Sequence, residues 1–258
     1  MRLRVAAPFA ALAGAVAAAG ILLVLPTENG TPGGEVMPAA SPTTAEAPLG
    51  GVSVDHPPPP SLPVGAVAAG YGASRTGPAG VPVAFTRSAD GAAAAATAWL
   101  ATVEGSGILD AQRRPVVLDA IGDPPFISAA AARLNDRVAA LGLPASGRPG
   151  SGYVTATVWA DRGAYRVVSY GGGTARVEIW HLYQVGLVPP GGQPAPGRWR
   201  RAVVPLRWDG AAGDWRLTAD FRLTEGPDPR VAAPSRLERA SMLARLGDGW
   251  RLYANTQE

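Results

Sequence analysis

Four regimes of hydrophobic patterning divide the chain: an unbroken apolar run, an aperiodic polar stretch, a spacing of three to four, and a spacing of two. Val5–Leu25 carries no charged or strongly polar side chain. Its roughly 21 residues would make a helix of about 31 Å, against a hydrocarbon core of about 30 Å. Such a helix satisfies its own backbone in lipid, so the run predicts a transmembrane helix. Residues 26–79 show no period. Pro26 follows the run directly, and Thr-Pro-Gly-Gly, Ser-Pro-Thr-Thr and Pro57–Pro60 come after it. Large apolar residues are too sparse there to offset the entropy of ordering the backbone, which predicts a disordered linker, extended where prolines cluster.

Helical spacing begins after Gly80-Val-Pro-Val-Ala-Phe85. Ser88 is a good N-cap and Asp90 complements the dipole of the first turn. Ala92, Ala96, Trp99, Leu100 and Val103 then fall on one face, and Gly105 and Gly107 stop the helix. A second helix is expected over Asp110–Ile121, ended by Gly122 and the break at Pro124-Pro125. A third, over Ser128–Leu141, has a stripe of Leu134, Val138 and Leu141, with Gly142 placed for a left-handed cap.

Beyond the Gly/Pro segment 144–152 the spacing changes to two. Tyr153–Trp159 alternates, a turn is expected at Asp161-Arg162-Gly163, and Tyr165–Tyr170 resumes the strand. Gly171-Gly172-Gly173 reads as a hairpin turn. The clearest strand is Ala175–Val188. One face carries Val177, Ile179, His181, Tyr183, Val185 and Leu187; the other carries Arg176, Glu178, Trp180, Leu182 and Gln184. Trp199–Trp208 follows, with Pro205 marking an edge or a bulge. In Asp214–Leu223 the residues Trp215, Leu217, Ala219 and Phe221 are expected to face inward. Pro234–Leu246 is a last helix, with Leu237, Met242, Leu243 and Leu246 on one side.

Helices first and antiparallel strands afterwards predict an α+β domain over residues 80–258, with helices packed on a curved antiparallel sheet. The element order matches a cystatin-like or nuclear-transport-factor-2-like cone by analogy. The flanks of the apolar run orient the chain. Arg2 and Arg4 precede it, the next basic residue is Arg75, and Glu28, Glu35, Glu46 and Asp55 intervene. Basic residues stay cytoplasmic, so residues 1–4 form a cytoplasmic stub, 5–25 the span, 26–79 an extracytoplasmic linker, and the domain stands outside the cell membrane. The competing reading is a cleaved signal peptide, whose apolar core is typically shorter than this one.

The chain has no cysteine among its 258 residues, which rules out disulfides, thiol catalysis, thiolate metal sites and lipid attachment through cysteine. Net charge is +3, too mild to imply nucleic acid. His181 is the one titratable residue set among apolar neighbours, a candidate general base against the blander reading of a buried, bonded histidine. With Tyr183, Trp180 and Trp99 it makes up the candidate pocket or interface. His56 lies in the linker and reads as solvated. The pairs Asp119/Asp123 and Asp209/Asp214 could hold a metal, but turn and cap roles explain them. Arg198-Trp199-Arg200-Arg201 mixes charge with an aromatic as a single-strand binder would, although alternation splits those arginines between faces. Trp180, Trp208, Trp215 and Trp250 read as core or interface anchors. No catalytic residue, cofactor or metal is called for. Expected partners are the bilayer, through Val5–Leu25, and proteins of a membrane complex; self-association is compatible with this.

The stretch from Gly80 to Trp99 resembles the domain opening of an uncharacterised actinobacterial family of single-pass membrane proteins. Those proteins read Val-Pro-x-Gly-Phe/Tyr, a short polar turn, then Gly-Ala-x-x-Ala-Ala. Here Ala84 stands where the family has glycine. Glu178-Ile-Trp, Leu206-Arg-Trp and Gly213-Asp-Trp-Arg-Leu also resemble its strands. The resemblance covers about residues 1–225. It implies a scaffold role in a conjugative or type IV secretion-like apparatus and supplies no catalytic residues. The alternative is an extracytoplasmic pocket of the same fold that binds, isomerises or hydrolyses a small apolar ligand.

Overall fold

The computed structural model describes residues 61–229 and 234–256. Val5–Leu25, most of the linker and His56 lie outside them. Among the described residues no helix is long and apolar enough to cross a membrane.

The chain is an α+β structure whose curved antiparallel sheet has helices on one face and the C-terminal segment on the other. Strands β1 (Arg75–Thr76) and β2 (Pro82–Val83) form a small hairpin. Helices α1 (Ala89–Glu104), α2 (Arg113–Ile121) and α3 (Pro124–Ala140) follow. The main sheet holds β3 (Tyr153–Gly171), β4 (Thr174–Val188) and β5 (Arg198–Asp209) side by side. On the far side of β5, β6 (Asp214–Leu217) and β7 (Arg222–Glu225) pair with its opposite ends. Helix α4 (Arg236–Leu243) follows, running into a 3-10 turn over Ala244–Leu246.

Helix α1 starts where the sequence places it: the Ser88 hydroxyl accepts from the Gly91 amide at 3.0 Å. It is not half-exposed, however. Every residue from Gly91 to Leu100 is buried, because small residues let sheet and loops close around the helix on all sides. Pro124 and Pro125 do not stand between helices but open α3, where a missing N–H costs nothing. Gly142 takes φ +66°, and Leu143 and Gly142 donate to Val138 and Ala139, a complete left-handed cap.

In the sheet, Ala175, Val177 and Ile179 of β4 and Ala202, Val204 and Leu206 of β5 share the face buried against α1–α3. The Gly172-Gly173 turn has φ +57° and +76°, as a tight hairpin requires. The turn expected at Asp161–Gly163 is instead a bulge inside β3: Trp159 pairs with Leu182 and Ala164 with Trp180. Gly163 is needed there, since a Cβ would lie 1.7 Å from the Trp180 carbonyl oxygen. Pro205 falls between the residues that β6 and β7 pair with, so its missing donor sits where the ladder is already broken. The single strand expected over Asp214–Leu223 is split by that break, and Ala219 is exposed while Trp215, Leu217 and Phe221 are buried.

The second face, which alternation gives as a mixture of Arg176, Glu178, Trp180, Leu182 and Gln184, is not left to solvent. It carries Trp180, Leu182 and Trp199, covered by Leu243, Trp250 and Leu252. Helix α4 turns Arg239, Ala240 and Leu243 inward, and Leu237 is exposed. The chain then rounds the free edge of β3, where Tyr165 and Arg251 exchange backbone hydrogen bonds, and inserts Tyr253 among the helices. The folded body also begins upstream of Gly80. Gly65 donates to Leu252, Leu252 to Pro63 and Ala254 to Val67, so residues 61–79, placed in the linker by composition, include a strap on the C-terminal segment.

Ala84 has φ +63°, a left-handed conformation that costs a residue with a Cβ about 1–2 kcal/mol. Its amide and that of Phe85 are both held by the buried Asp214 carboxylate, at 2.5 and 3.0 Å. Ala84→Gly is therefore expected to raise stability by about 1 kcal/mol, measured by denaturant unfolding, with no change in m-value.

Candidate functional site

The four residues singled out from the sequence do not converge. Trp99, on α1, meets Phe85 edge-on at 5.6 Å and donates to the Pro82 carbonyl at 2.9 Å, pinning the domain opening to the helix. Trp180 is on the opposite face of β4, stacked on Trp199 at 4.1 Å and donating to the Pro227 carbonyl at 3.1 Å. His181 and Tyr183, two apart on β4, share the face of that strand turned to the helices.

His181 is fully buried. Its Nδ1 is 3.4 Å from the Ile179 carbonyl, and its Nε2 has no partner. Burial, with Arg200 nearby, pushes its pKa down to about 4, so the imidazole is neutral at physiological pH. Sealed from water in this state, it has no path by which to take a proton from a substrate.

Tyr183 belongs to an ionic cluster that the sequence reading missed. Helix α1 ends on Glu104, which is 2% exposed. A carboxylate in that position requires cations, and α3 supplies two, four residues apart on one face. Arg133 donates through Nη1 to Glu104 at 2.7 Å and forks through Nε and Nη2 onto Asp220 at 2.8 and 3.0 Å. Arg137 donates through Nη1 to the Glu104 carboxylate at 3.3 Å, and through Nη2 to the Glu104 carbonyl at 2.9 Å and to the Tyr183 hydroxyl. The guanidinium of Arg200 lies 4.6 Å from the centre of the Tyr183 ring, and that of Arg137 lies 5.5 Å from it. Burial, and then the Glu104 charge, push the Tyr183 phenol well above its ordinary pKa. The available signal was two arginines at i and i+4, together with a glutamate closing an otherwise apolar helix.

Of the aspartates paired in the sequence, three have engaged carboxylates and Asp119, among the described residues, is held through its backbone alone. Asp123 takes a fork from Arg207 at 3.0 Å, and Asp119 gives its backbone carbonyl to Arg216. Asp209 caps its own turn through the amides of Ala211 and Ala212, which hold its carboxyl below the usual range. Asp214 accepts from Ala84, Phe85 and Trp215. On the second face Glu178 binds Arg166 at 2.6 Å and Arg201 at 3.0 Å. The arginine run does divide as alternation requires: Arg198 and Arg200 share the face of Tyr183, while Trp199 and Arg201 are opposite.

Clefts of about 370, 260, 170 and 300 Å³ are among those that indent the described surface, and of the four candidate residues only Tyr183 lines any of these. The side chains above can bind and orient. Compared with protein-family models, with curated proteins and with solved structures, the chain finds no match.

Proposed function

We propose that this chain is a single-pass membrane protein whose extracytoplasmic domain binds other proteins as a scaffold, within a conjugation or type IV secretion-like apparatus. The observation that carries the reading is the commitment of the polar groups. The buried carboxylates Glu104, Glu178 and Asp214 are spent on guanidinium groups or backbone amides, and His181 is sealed and neutral. Such a domain can present a fixed surface, but turnover of a substrate would need a group free to move protons. The pocket alternative depends on His181 reaching a ligand, and burial works against it.

The apolar run Val5–Leu25 and the basic residues before it support the anchor and its orientation. Helices α1–α3 laid across one face of the sheet support a cystatin-like or nuclear-transport-factor-2-like cone. Two positions of the resembled actinobacterial motif also make physical sense here. Gly91 has no room for a Cβ, and the residue at position 84, glycine in that family, is left-handed.

In the test, full-length tagged chain stays with membranes after a carbonate wash, is cut by protease added to intact cells, and captures components of a membrane machine from solubilised membranes. Release by carbonate, or protection from the protease, would overturn the reading.

A further inference from the structure

We infer that the cleft at the open end of β4 and β5 is a receptor for a carboxylate side chain on an extended acidic segment of a partner protein. This deepens the scaffold reading and rests on it. The cleft, of about 260 Å³, is lined by Tyr183, Val185, Ala195, Pro196, Arg198 and Arg200. Arg198 and Arg200 are two apart on β5, so both side chains leave the same face of the strand, about 7 Å apart.

Their charges are not consumed as those of their neighbours are. Arg133 and Arg137 are neutralised by Glu104 and Asp220. Among the described residues Arg200 has one carboxylate within ion-pair distance, Glu225, with Nε 3.9 Å from Oε1, and that side chain is 70% exposed. Such a contact holds little against water or a better-placed ligand. Arg198 is exposed and makes no side-chain hydrogen bond or ion pair among the described residues. The guanidinium of Arg200 is held over the Tyr183 ring, so part of its ordering cost is already met before a ligand arrives.

The shape selects among anions. Val185, Ala195 and Pro196 provide an apolar wall suited to the methylenes of a glutamate, and the space admits one side chain and little more. A nucleic acid needs a row of cations along its phosphates, and this face offers two with Glu225 beside them. A bilayer surface needs an outward basic patch, and these groups line a recess.

The full-length chain in detergent is titrated with a fluorescein-labelled pentapeptide alternating leucine and glutamate, and with its glutamine counterpart. The acidic peptide is expected to bind at least roughly tenfold more tightly than the glutamine one. Arg198→Glu and the milder Arg198→Gln should each remove most of that preference, while Arg222→Glu on β7 leaves it intact. Thermal melts show whether each variant is folded. Equal binding of the two peptides overturns the proposal. So does an unchanged preference in folded Arg198→Glu and Arg198→Gln, or binding of inorganic phosphate or phosphatidylglycerol vesicles in place of the peptide. Membrane capture separates this failure from failure of the scaffold reading: if Arg198→Glu captures the same proteins as wild type, the cleft proposal falls and the scaffold stands.

Discussion

Glu104→Ala is expected to destabilise the folded domain by about 3 kcal/mol, because it strands a buried cation without its counter-charge. Arg133 would retain Asp220, but Arg137 would keep only the backbone carbonyl of residue 104 and the Tyr183 hydroxyl. Arg137 has 12% of its side chain exposed, too little for water to take over. In a domain of this size the loss corresponds to a fall in Tm of roughly 6–12 °C. Glu104→Gln keeps the shape and should cost about half as much. The decisive measurement is a double-mutant cycle. In the Glu104→Ala background, Arg137→Met should cost at least about 1 kcal/mol less than in wild type, since the cation it removes no longer has a partner. Additive losses would mean that the cluster does not act as a unit.

The parts of this fold that were legible from sequence are those in which local chemistry and tertiary packing agree. Ser88 caps α1 and Gly142 caps α3 because each offers its backbone what a helix end lacks. The two faces of β4 could be separated because alternation is strict, and the same rule divided Arg198 and Arg200 from Trp199 and Arg201. Where local patterning failed, a distant segment decided the outcome. Asp161-Arg162-Gly163 resembles a turn, but β4 passes within reach and the three residues are absorbed as a bulge. The face with Trp180 and Leu182 looked like a mixed surface until the C-terminal segment supplied Leu243, Trp250 and Leu252 to cover it. Residues 63–69 had a linker's composition but lie against residues 252–255, nearly two hundred positions away.

The site was legible only in part, for the same reason. His181 and Tyr183 stood out because polar atoms interrupt an apolar face. Their environment could not be seen, since Glu104, the pair Arg133 and Arg137, Arg200 and Asp220 come from four separate places in the chain. Each of those residues alone looks like ordinary surface charge. The three-dimensional arrangement turns most of them into structure and leaves Arg198 and Arg200 facing a cleft.

Gly91→Ala should be damaging, although the reverse is the rule in helices, where this change gains about 1 kcal/mol. Gly91 occupies the third position of α1, and its amide is capped by Ser88. A Cβ built there lies 2.0 Å from the carbonyl oxygen of Thr86 and 2.4 Å from its hydroxyl oxygen. Backbone cannot step aside as a flexible side chain can, and this carbonyl is not free to move. It accepts from the Ser88 amide at 2.9 Å and from the Trp215 indole at 2.9 Å. Relieving the clash therefore breaks the link between the start of α1 and β6, at one of the largest fully buried side chains. The expected net loss is about 2–4 kcal/mol, combining overpacking with a buried donor left unpaired. Gly150→Ala is the control: its Cβ meets nothing within 4 Å, and its stability should stay within about 0.5 kcal/mol of wild type. If denaturant unfolding finds Gly91→Ala as stable as Gly150→Ala, then the close approach of α1 to Thr86 does not govern how the domain opening is held.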